Sequence, residues 1–165
     1  MRKLSVLVAL FINLHSFAQT PARVIKVKDG DTYVLLMHGK QINCRLANVD
    51  APELKQKWGV NSKDSVSKLI LGKVVSVDSS KQDIYGRMIA SVKVDGKRLD
   101  SLMIRKGWAW NYDAYSKETM LRNCQDLAIG ERKGLWFCGK ENVCAPWVYR
   151  QLNSRNKIIY CSKCN

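Results

Sequence analysis

The sequence has few histidines, no long apolar run, no repeats and few acids. Each of these shortages excludes some classes of function. Its two histidines, His15 and His38, lie in an N-terminal apolar stretch and in a turn, so imidazole cannot bias a metal site towards zinc or copper. No apolar run reaches the roughly 20 residues that cross a bilayer. No segment repeats, and no low-complexity linker divides the chain. Acids are scarce, 14 against 28 bases, which makes a polyanion the expected partner.

The N-terminus has the pattern of a removable signal peptide. A basic start, Met1-Arg2-Lys3, precedes the eleven-residue run LSVLVALFINL, and Ser16-Phe17-Ala18 then places small residues at the −3 and −1 positions of a cleavage site. This pattern predicts a signal peptide over residues 1–18 and a secreted or periplasmic protein. The alternative is an N-terminal core helix. No cysteine closely follows the apolar run, so no lipoprotein anchor is expected.

Removal of residues 1–18 would leave 147 residues, which suits one domain with a substantial core. The formal net charge would fall from +14 to +12, because Arg2 and Lys3 leave with the signal peptide. A charge of this size favours a nucleic acid partner. The alternative partner is an anionic membrane or envelope surface.

All six cysteines follow the predicted signal peptide, which favours disulfides, with fifteen possible pairings. The spacings Cys138-x5-Cys144 and Cys161-x2-Cys164 also permit a zinc site of four thiolates. Cys44 and Cys124 would form a third disulfide or be buried as apolar side chains. The sequence leaves these alternatives open.

Alternating apolar residues from Ala22 onward predict short strands. Two lie on either side of a turn at residues 28–31, a third spans 41–46, and two more span 73–77 and 87–94. Helical spacing predicts helices at 58–71 and 98–106, and a third that begins at Ser116. Five short strands interrupted by one helix suit an α+β protein built on a small closed barrel of the OB type. A ferredoxin-like or open α+β sheet is the alternative.

Three acids stand where predicted strands begin or end. Asp31 lies in the turn sequence DGDT, and Asp50 and Glu53 lie in the sequence DAPE, just past a strand end. If the two strands are neighbours, Asp31 and Asp50 meet, with Glu53 one loop position away. Carboxylates with a backbone carbonyl and waters form the oxygen ligand set that calcium accepts. Each motif alone is also consistent with an ordinary turn or a solvated loop.

Two arginines accompany these acids. Arg45 precedes Asp50 on the same strand and its exit, and Arg87 follows Tyr85-Gly86 and opens the next strand. A guanidinium can meet both non-bridging oxygens of a phosphodiester. Two arginines and a divalent cation would stabilise the charge that gathers when phosphorus becomes five-coordinate. Singly, each arginine is also consistent with ordinary surface charge.

In this order and spacing, DGDT, R-x4-D-x2-E and D-x-YGR resemble the staphylococcal (micrococcal) nuclease family, over residues 24–136. APWVYR, residues 145–150, looks like the PPWxxR tail of many Gram-negative secreted members. The resemblance implies a five-stranded OB-fold barrel with three helices at 22–136. It implies a calcium-dependent endo- and exonuclease that acts on DNA and RNA, without sequence specificity, and leaves 3′-phosphates.

The resemblance also implies roles for individual residues. Asp31 and Asp50 match the calcium-binding aspartates, and Ala51, which replaces a threonine, keeps the backbone carbonyl offered to the ion. Arg45 and Arg87 match the phosphate-binding arginines, and Glu53 matches the catalytic glutamate. One calcium ion is expected as the cofactor.

Tyr85, Tyr112 and Tyr115 are the candidates for substrate binding, although Tyr112 stands one position out of register with the family prototype. Ile84 replaces a phosphate-contacting lysine of that prototype, so one phosphate contact is not expected here. Core or rim positions explain the tyrosines equally well.

Residues 137–165 lie outside the prototype pattern and contain four of the six cysteines. We expect a disulfide-containing basic extension, packed on the same domain, whose Arg150, Arg155 and Lys157 add phosphate contacts without sequence readout. A separate zinc knuckle is the alternative.

Three functions are compatible with the sequence. A monomeric nuclease without a membrane anchor is favoured, because all five acids and arginines of the family pattern are present. A non-catalytic nucleic-acid-binding barrel is the second, because an OB surface can bind strands without cutting them. A structural or envelope-adhesion protein is the third.

Overall fold

The computed structural model describes residues 20–161 and Lys163. The predicted signal peptide, residues 1–18, and Cys164 lie outside the described residues. The strands are β1 Thr20–Val27, β2 Thr32–Met37, β3 Lys40–Leu46, β4 Val49–Asp50, β5 Val74–Gln82, β6 Met88–Val94, β7 Lys97–Arg98 and β8 Trp110–Asn111. The helices are α1 Gly59–Ile70, α2 Leu99–Arg105, α3 Thr119–Gly130, α4 Pro146–Gln151 and α5 Ser154–Cys161.

Five strands close into a barrel. They follow the order β3-β2-β1-β5-β6, and β3 then pairs with β6 in parallel, which joins the two edges. Burial alternates along β6, where Ala90, Val92 and Val94 face the interior. The predicted α+β class and five-stranded barrel are therefore confirmed, and the open-sheet alternative is wrong because the sheet has no free edge at this seam.

The barrel interior and three helices share one apolar core. Helices α1 and α2 contribute Val66, Ile70, Leu99, Met103 and Ile104, all of which are inaccessible to solvent. Leu121 of α3 joins the same cluster. The helices thus cover the barrel with the apolar side chains that their spacing predicts.

Two predicted boundaries are wrong. Strand β5 continues through Gln82 and therefore includes part of the segment predicted to be a connection. Helix α3 begins at Thr119 rather than at Ser116. The backbone N–H groups of Tyr115 and Ser116 instead donate to the Tyr112 carbonyl, which forms a separate turn before the helix.

The predicted Cys-containing extension contacts the rest of the chain through a second apolar cluster. Trp110, Ala128, Leu135, Trp136 and Ala145 form its buried part. The indole rings of Trp110 and Trp136 meet edge to face, 4.4 Å apart. Helix α4 therefore lies against the strand β8 and the segment after α3.

The cysteines settle two alternatives. Cys144 and Cys161 form a disulfide, which rules out the zinc site of four thiolates because two of those ligands are oxidised. Cys138 is also disulfide-bonded. Cys44 and Cys124 carry free thiols, so the third disulfide is not formed between them. Cys44 is buried, as the apolar alternative requires, whereas Cys124 is only half-buried.

Across residues 20–161, no helix is both long and apolar enough to cross a membrane.

Candidate active site

Asp31 ends a tight turn between β1 and β2. Its backbone N–H donates to Asp29 Oδ1 at 3.0 Å, which closes the turn. A Cβ atom on Gly30 would lie 2.3 Å from Ser62 Oγ and 2.5 Å from Ala51 Cβ. Glycine is therefore needed here for close packing against α1 and the loop after β4, and the turn holds Asp31 against that loop.

Arg45 joins two carboxylates that come from separate strand ends. Its Nη2 lies 3.1 Å from Asp31 Oδ2 and 3.2 Å from Asp50 Oδ1. Its Nη1 donates to the carbonyls of Leu46 and Val49, at 2.7 and 2.9 Å. The expected convergence of Asp31 and Asp50 is thus observed, and the backbone fixes the orientation of the guanidinium between them.

The two aspartates are buried, which makes their charge costly. Asp31 is 6% exposed and Asp50 2%. Burial raises the pKa of Asp31 to about 7, although Arg45 opposes the shift, and the charges of Asp29 and Asp50 contribute to it. The backbone N–H of Ala51 donates to Asp31 Oδ2 at 2.6 Å. A further cation beside these carboxylates would relieve their mutual repulsion.

Glu53 is held by the loop that leads from β4 into α1. Its backbone N–H donates to Gln56 Oε1 at 3.2 Å, and its carbonyl accepts from the Gln56 N–H at 2.7 Å. A Cβ atom on Gly59 would lie 1.9 Å from the Glu53 carbonyl oxygen, so the start of α1 is pressed against this loop. The Glu53 side chain is 43% exposed and is open to solvent.

Arg150 of α4 connects Glu53 to Asp50. Its Nη1 and Nη2 donate to the two Asp50 carboxylate oxygens at 3.1 and 2.8 Å, and Nη1 also donates to Glu53 Oε1 at 2.9 Å. Hydrogen bonds to Asp50 and Glu53 raise the pKa of Arg150 further above its usual range, so the guanidinium stays charged. Three acids and two arginines therefore form one connected cluster.

Arg87 lies outside this cluster. Its Nε donates to Asp83 Oδ2 at 2.7 Å, and its guanidinium lies 5.5 Å from the centre of the Tyr85 ring. Within the described residues, no hydrogen bond or ion pair joins Arg87 to Asp31, Asp50 or Glu53. In the structure, the Arg87 side chain therefore pairs with a residue of its own β5–β6 hairpin and not with the acids.

The backbone nevertheless places Arg87 close to Arg45. Strand β6 runs parallel to β3 with Arg45 opposite Ile89, two residues after Arg87. Side chains alternate between the two faces of a strand, so Arg87 and Arg45 lie on the same face, with Cα atoms roughly 8 Å apart. A change of side-chain rotamer could bring the Arg87 guanidinium towards the acids.

The predicted substrate-binding tyrosines fall into two places. Tyr112 and Tyr115 lie together, with ring centres 4.9 Å apart, and Trp147 of α4 stacks on Tyr112 at 5.6 Å. Tyr85 lies apart from them, on the β5–β6 hairpin, and is 77% exposed. Beside it Ile84, where the family prototype has lysine, is 90% exposed.

The donor chemistry of the cluster fits the calcium ion that the resemblance implies. Asp31 and Asp50 provide hard carboxylate oxygens, and Ala51 beside them provides a backbone carbonyl. Burial disfavours the charged form of Asp31 and raises its pKa, and a divalent cation beside the carboxylate would offset that cost. Within the described part of the chain, no three acid, histidine or cysteine side chains converge closely enough to hold an ion by themselves. Arg150, rather than a third ligand, occupies the space between Asp50 and Glu53.

The sequence predicted Arg150 only as a general phosphate contact, and its contact with the acids was missed. The available signal was the segment APWVYR. Its proline starts α4, and Trp147 and Arg150 stand three residues apart, so they lie on one face of that helix. The Asp83–Arg87 pair was also missed, although the two residues are four apart across a turn.

Comparison with known proteins identifies the family of the chain. The sequence profile of the family described as staphylococcal nuclease homologue matches residues 43–138. An uncharacterized endonuclease of Escherichia coli O157:H7 is 37% identical over 134 residues, which are 81% of this chain and 86% of the relative. An uncharacterized endonuclease of Haemophilus influenzae is 34% identical over 92% of this chain and 84% of its own. A micrococcal nuclease of Shigella flexneri is 28% identical over 92% of each chain.

Proposed function

The chain belongs to the staphylococcal nuclease homologue family, and from that premise we propose that it is a calcium-dependent nuclease that cuts DNA and RNA without sequence specificity. It is a hydrolase that acts on phosphodiester bonds. The single observation that carries the finer proposal is the cluster in which Arg45 joins Asp31 to Asp50 at two strand ends.

Four residues of the cluster, together with Arg87 and three tyrosines, have roles in the proposed hydrolysis. Asp31, Asp50 and the Ala51 carbonyl would hold one calcium ion, which polarises the phosphate and neutralises charge in the transition state. Arg45 donates to a non-bridging phosphate oxygen, and Arg87 does so after it leaves Asp83. Glu53 orients the attacking water and accepts its proton. Tyr85, Tyr112 and Tyr115 offer rings on which bases stack.

The bond balance of the reaction follows from these roles. The water oxygen forms a new bond to phosphorus, in line with the bond from phosphorus to the 5′-oxygen, and that bond breaks. One water proton goes to Glu53, and the departing 5′-oxygen takes up a proton from solvent to become a hydroxyl. The products are a 3′-phosphate and a 5′-hydroxyl.

We also propose that the protein is exported and acts as a monomer. The signal-peptide pattern over residues 1–18 and the Cys144–Cys161 disulfide support export, because disulfides persist in oxidising compartments. Residues 22–136 would be the catalytic domain, and residues 137–165 an extension of it.

The experiment uses protein from residue 19 onward, purified with its disulfides intact and stripped of metal. Plasmid DNA and a structureless RNA are incubated with the protein and either calcium or a calcium chelator. We expect both substrates to be degraded only with calcium. Fragments should resist extension by a DNA polymerase until a phosphatase removes their 3′-phosphates. Cleavage that persists in chelator would contradict the calcium requirement.

A non-catalytic nucleic-acid-binding barrel is the second candidate, and the pairing of Arg87 with Asp83 favours it. Binding of DNA without cleavage, in the presence of calcium, would support this candidate instead.

A further inference from the structure

Arg150 is a cation that the C-terminal extension places inside the acid cluster. It makes two hydrogen bonds to Asp50 and one to Glu53, across about 100 residues of sequence. Asp50 is 2% exposed, whereas the Arg150 side chain is 43% exposed, so the guanidinium approaches a buried carboxylate from the solvent side. That is the side from which a metal ion and a phosphate must also enter.

The extension anchors Arg150 from both ends of α4. Tyr149 Oη donates to the Lys55 carbonyl at 3.0 Å, and Gln56 Nε2 donates to the Cys144 carbonyl at 2.6 Å. The Cys144–Cys161 disulfide then ties the segment before α4 to the end of α5. These contacts hold the helix backbone beside the site, and none of them involves an atom of the Arg150 side chain.

The charges of the cluster indicate what the side chain does. Asp31, Asp50 and Glu53 together carry up to three negative charges, and Arg45 and Arg150 carry two positive ones. A divalent ion beside Asp50 would be repelled by the guanidinium of Arg150 on the same carboxylate. Two backbone carbonyls hold Arg45, whereas the side-chain hydrogen bonds of Arg150 within residues 20–161 all go to the two carboxylates. The Arg150 guanidinium therefore has no backbone partner in that part of the chain that would hold it once the carboxylates bind a cation.

We propose that Arg150 is a movable counter-cation: it neutralises Asp50 and Glu53 when no divalent ion is bound, and it swings out to contact the substrate phosphate when the ion binds. The inference rests on the proposed function, since it assigns a residue to the same site. In this proposal Arg150 competes with the metal for Asp50 and Glu53, and after the metal has bound it contacts the substrate.

The first test measures metal affinity without any substrate. The metal-free protein, with its disulfides intact, is titrated with calcium by calorimetry and with terbium by luminescence. Arg150→Gln should bind the metal roughly tenfold more tightly than the unchanged protein, because one repelling charge is gone. Arg150→Lys, which keeps the charge, should stay within about twofold. Equal or weaker metal affinity of Arg150→Gln would overturn the proposal.

Arg122→Gln is the matched control. Arg122 is an exposed arginine on α3, 46% accessible, with one 3.4 Å ion pair to Asp113. Its replacement removes the same charge from the molecule but not from the site. Arg122→Gln should leave the metal affinity unchanged. An equal gain in affinity in Arg122→Gln and Arg150→Gln would show that only net charge matters and would contradict the proposal.

The second test measures binding of a phosphorothioate-linked oligonucleotide by fluorescence anisotropy. At saturating calcium, Arg150→Gln should weaken binding about tenfold, because a phosphate contact is lost. In chelator the same variant should weaken it less than twofold, since Arg150 is then occupied by the acids. An equal loss in both conditions would mean that Arg150 faces the substrate permanently, and would contradict the exchange.

The outcomes separate this proposal from the function on which it rests. If the unchanged protein binds neither calcium nor terbium, the calcium-dependent function fails, and the inference fails with it. If it binds calcium and cuts DNA, but Arg150→Gln alters neither affinity, only the inference fails. A melting temperature for each variant identifies any that does not fold, and Arg150→Met, which also removes the charge, then replaces Arg150→Gln in the comparison with Arg122→Gln.

Discussion

Arg45 organises the candidate site at the scale of single residues. Two backbone carbonyls accept from one of its terminal nitrogens, while the other reaches Asp31 and Asp50. Backbone carbonyls cannot reorient as side chains do. They therefore hold the guanidinium in one orientation before any substrate binds. Preorganised charge is the arrangement that stabilises a transition state most effectively.

Loss of Arg45 should therefore affect turnover strongly. We expect Arg45→Ala to reduce kcat by roughly a hundredfold or more, because one electrostatic contact to the phosphate is removed. Arg23→Ala is the control, since Arg23 is an exposed arginine that donates to the Gly72 carbonyl, away from the acids. Initial rates on DNA at saturating calcium give both values. A change in KM alone for Arg45→Ala would contradict a role in the transition state.

At the scale of elements, contacts between turns and helices place the acids. The loop that carries Glu53 is pressed against the first residue of α1, where Gly59 leaves no room for a side chain. Gln56 then links the same loop to the extension through the Cys144 carbonyl. The position of Glu53 thus depends on the packing of three separate segments.

Gly59→Ala tests this dependence. The added Cβ atom would overlap the Glu53 carbonyl, so the loop must shift, and we expect a loss of about 1–3 kcal/mol in the free energy of unfolding. Turnover should also fall roughly tenfold or more, because Glu53 is displaced. Denaturant unfolding and initial rates provide the two measurements.

Gly130→Ala is the matched control for that substitution. Gly130 ends α3, and no atom lies within 4 Å of the position its Cβ would take. Alanine there should leave activity unchanged and stabilise the protein by up to about 1 kcal/mol. Similar losses in the two variants would show that the effect at Gly59 is not specific to the loop.

The Cys144–Cys161 disulfide is a covalent link within the extension. The bonded residues are 17 apart in sequence, and closing a loop of that length stabilises the folded state by about 3 kcal/mol. Replacement of both cysteines by serine should lower the melting temperature by several degrees. Addition of a reductant to the unchanged protein should lower the melting temperature at least as much, because it also reduces the disulfide of Cys138. An unaltered melting temperature in the double variant would show that the extension contributes little to stability.

At the scale of the whole molecule, the chain carries a large excess of positive charge. The sequence carries +14 in total, whereas the three acids of the site are among only 14 in the chain. The net positive charge of the chain would attract a nucleic acid, whereas the three acids of the site are suited to the proposed cation.

Binding should accordingly depend steeply on salt. In chelator, where cleavage is not expected, the logarithm of the association constant for single-stranded DNA should fall linearly with the logarithm of the salt concentration. We expect a slope of roughly −3 or steeper, which corresponds to counterions released from about four phosphates. Anisotropy at several salt concentrations measures it. A peptide nucleic acid of the same base sequence, which lacks phosphates, is the control and should bind far more weakly. A slope near zero would contradict the electrostatic account.

Much of this arrangement could be predicted from the sequence, because its causes are local. Alternating apolar residues specify strands, and turn residues such as Asp29 and Gly30 specify where they reverse. The short strands and the positions of Asp31, Arg45 and Asp50 at strand ends follow from those patterns. The start of α3 was predicted less well, since Ser116 resembles a capping residue and the competing turn depends on Tyr112.

The sequence by itself determined the short strands, the acids at their ends and the excess of positive charge, because each follows from the spacing or the number of residues. Closure of the barrel depends on the pairing of β3 with β6, which the sequence left open. Only the tertiary structure decided that Arg150 contacts Asp50 and Glu53, and that Arg87 pairs with Asp83. The physical reason is that a long flexible side chain pairs with whichever group lies near it in the folded protein, whatever their separation in sequence. For Arg150, which groups lie near depends on how the extension packs against the barrel.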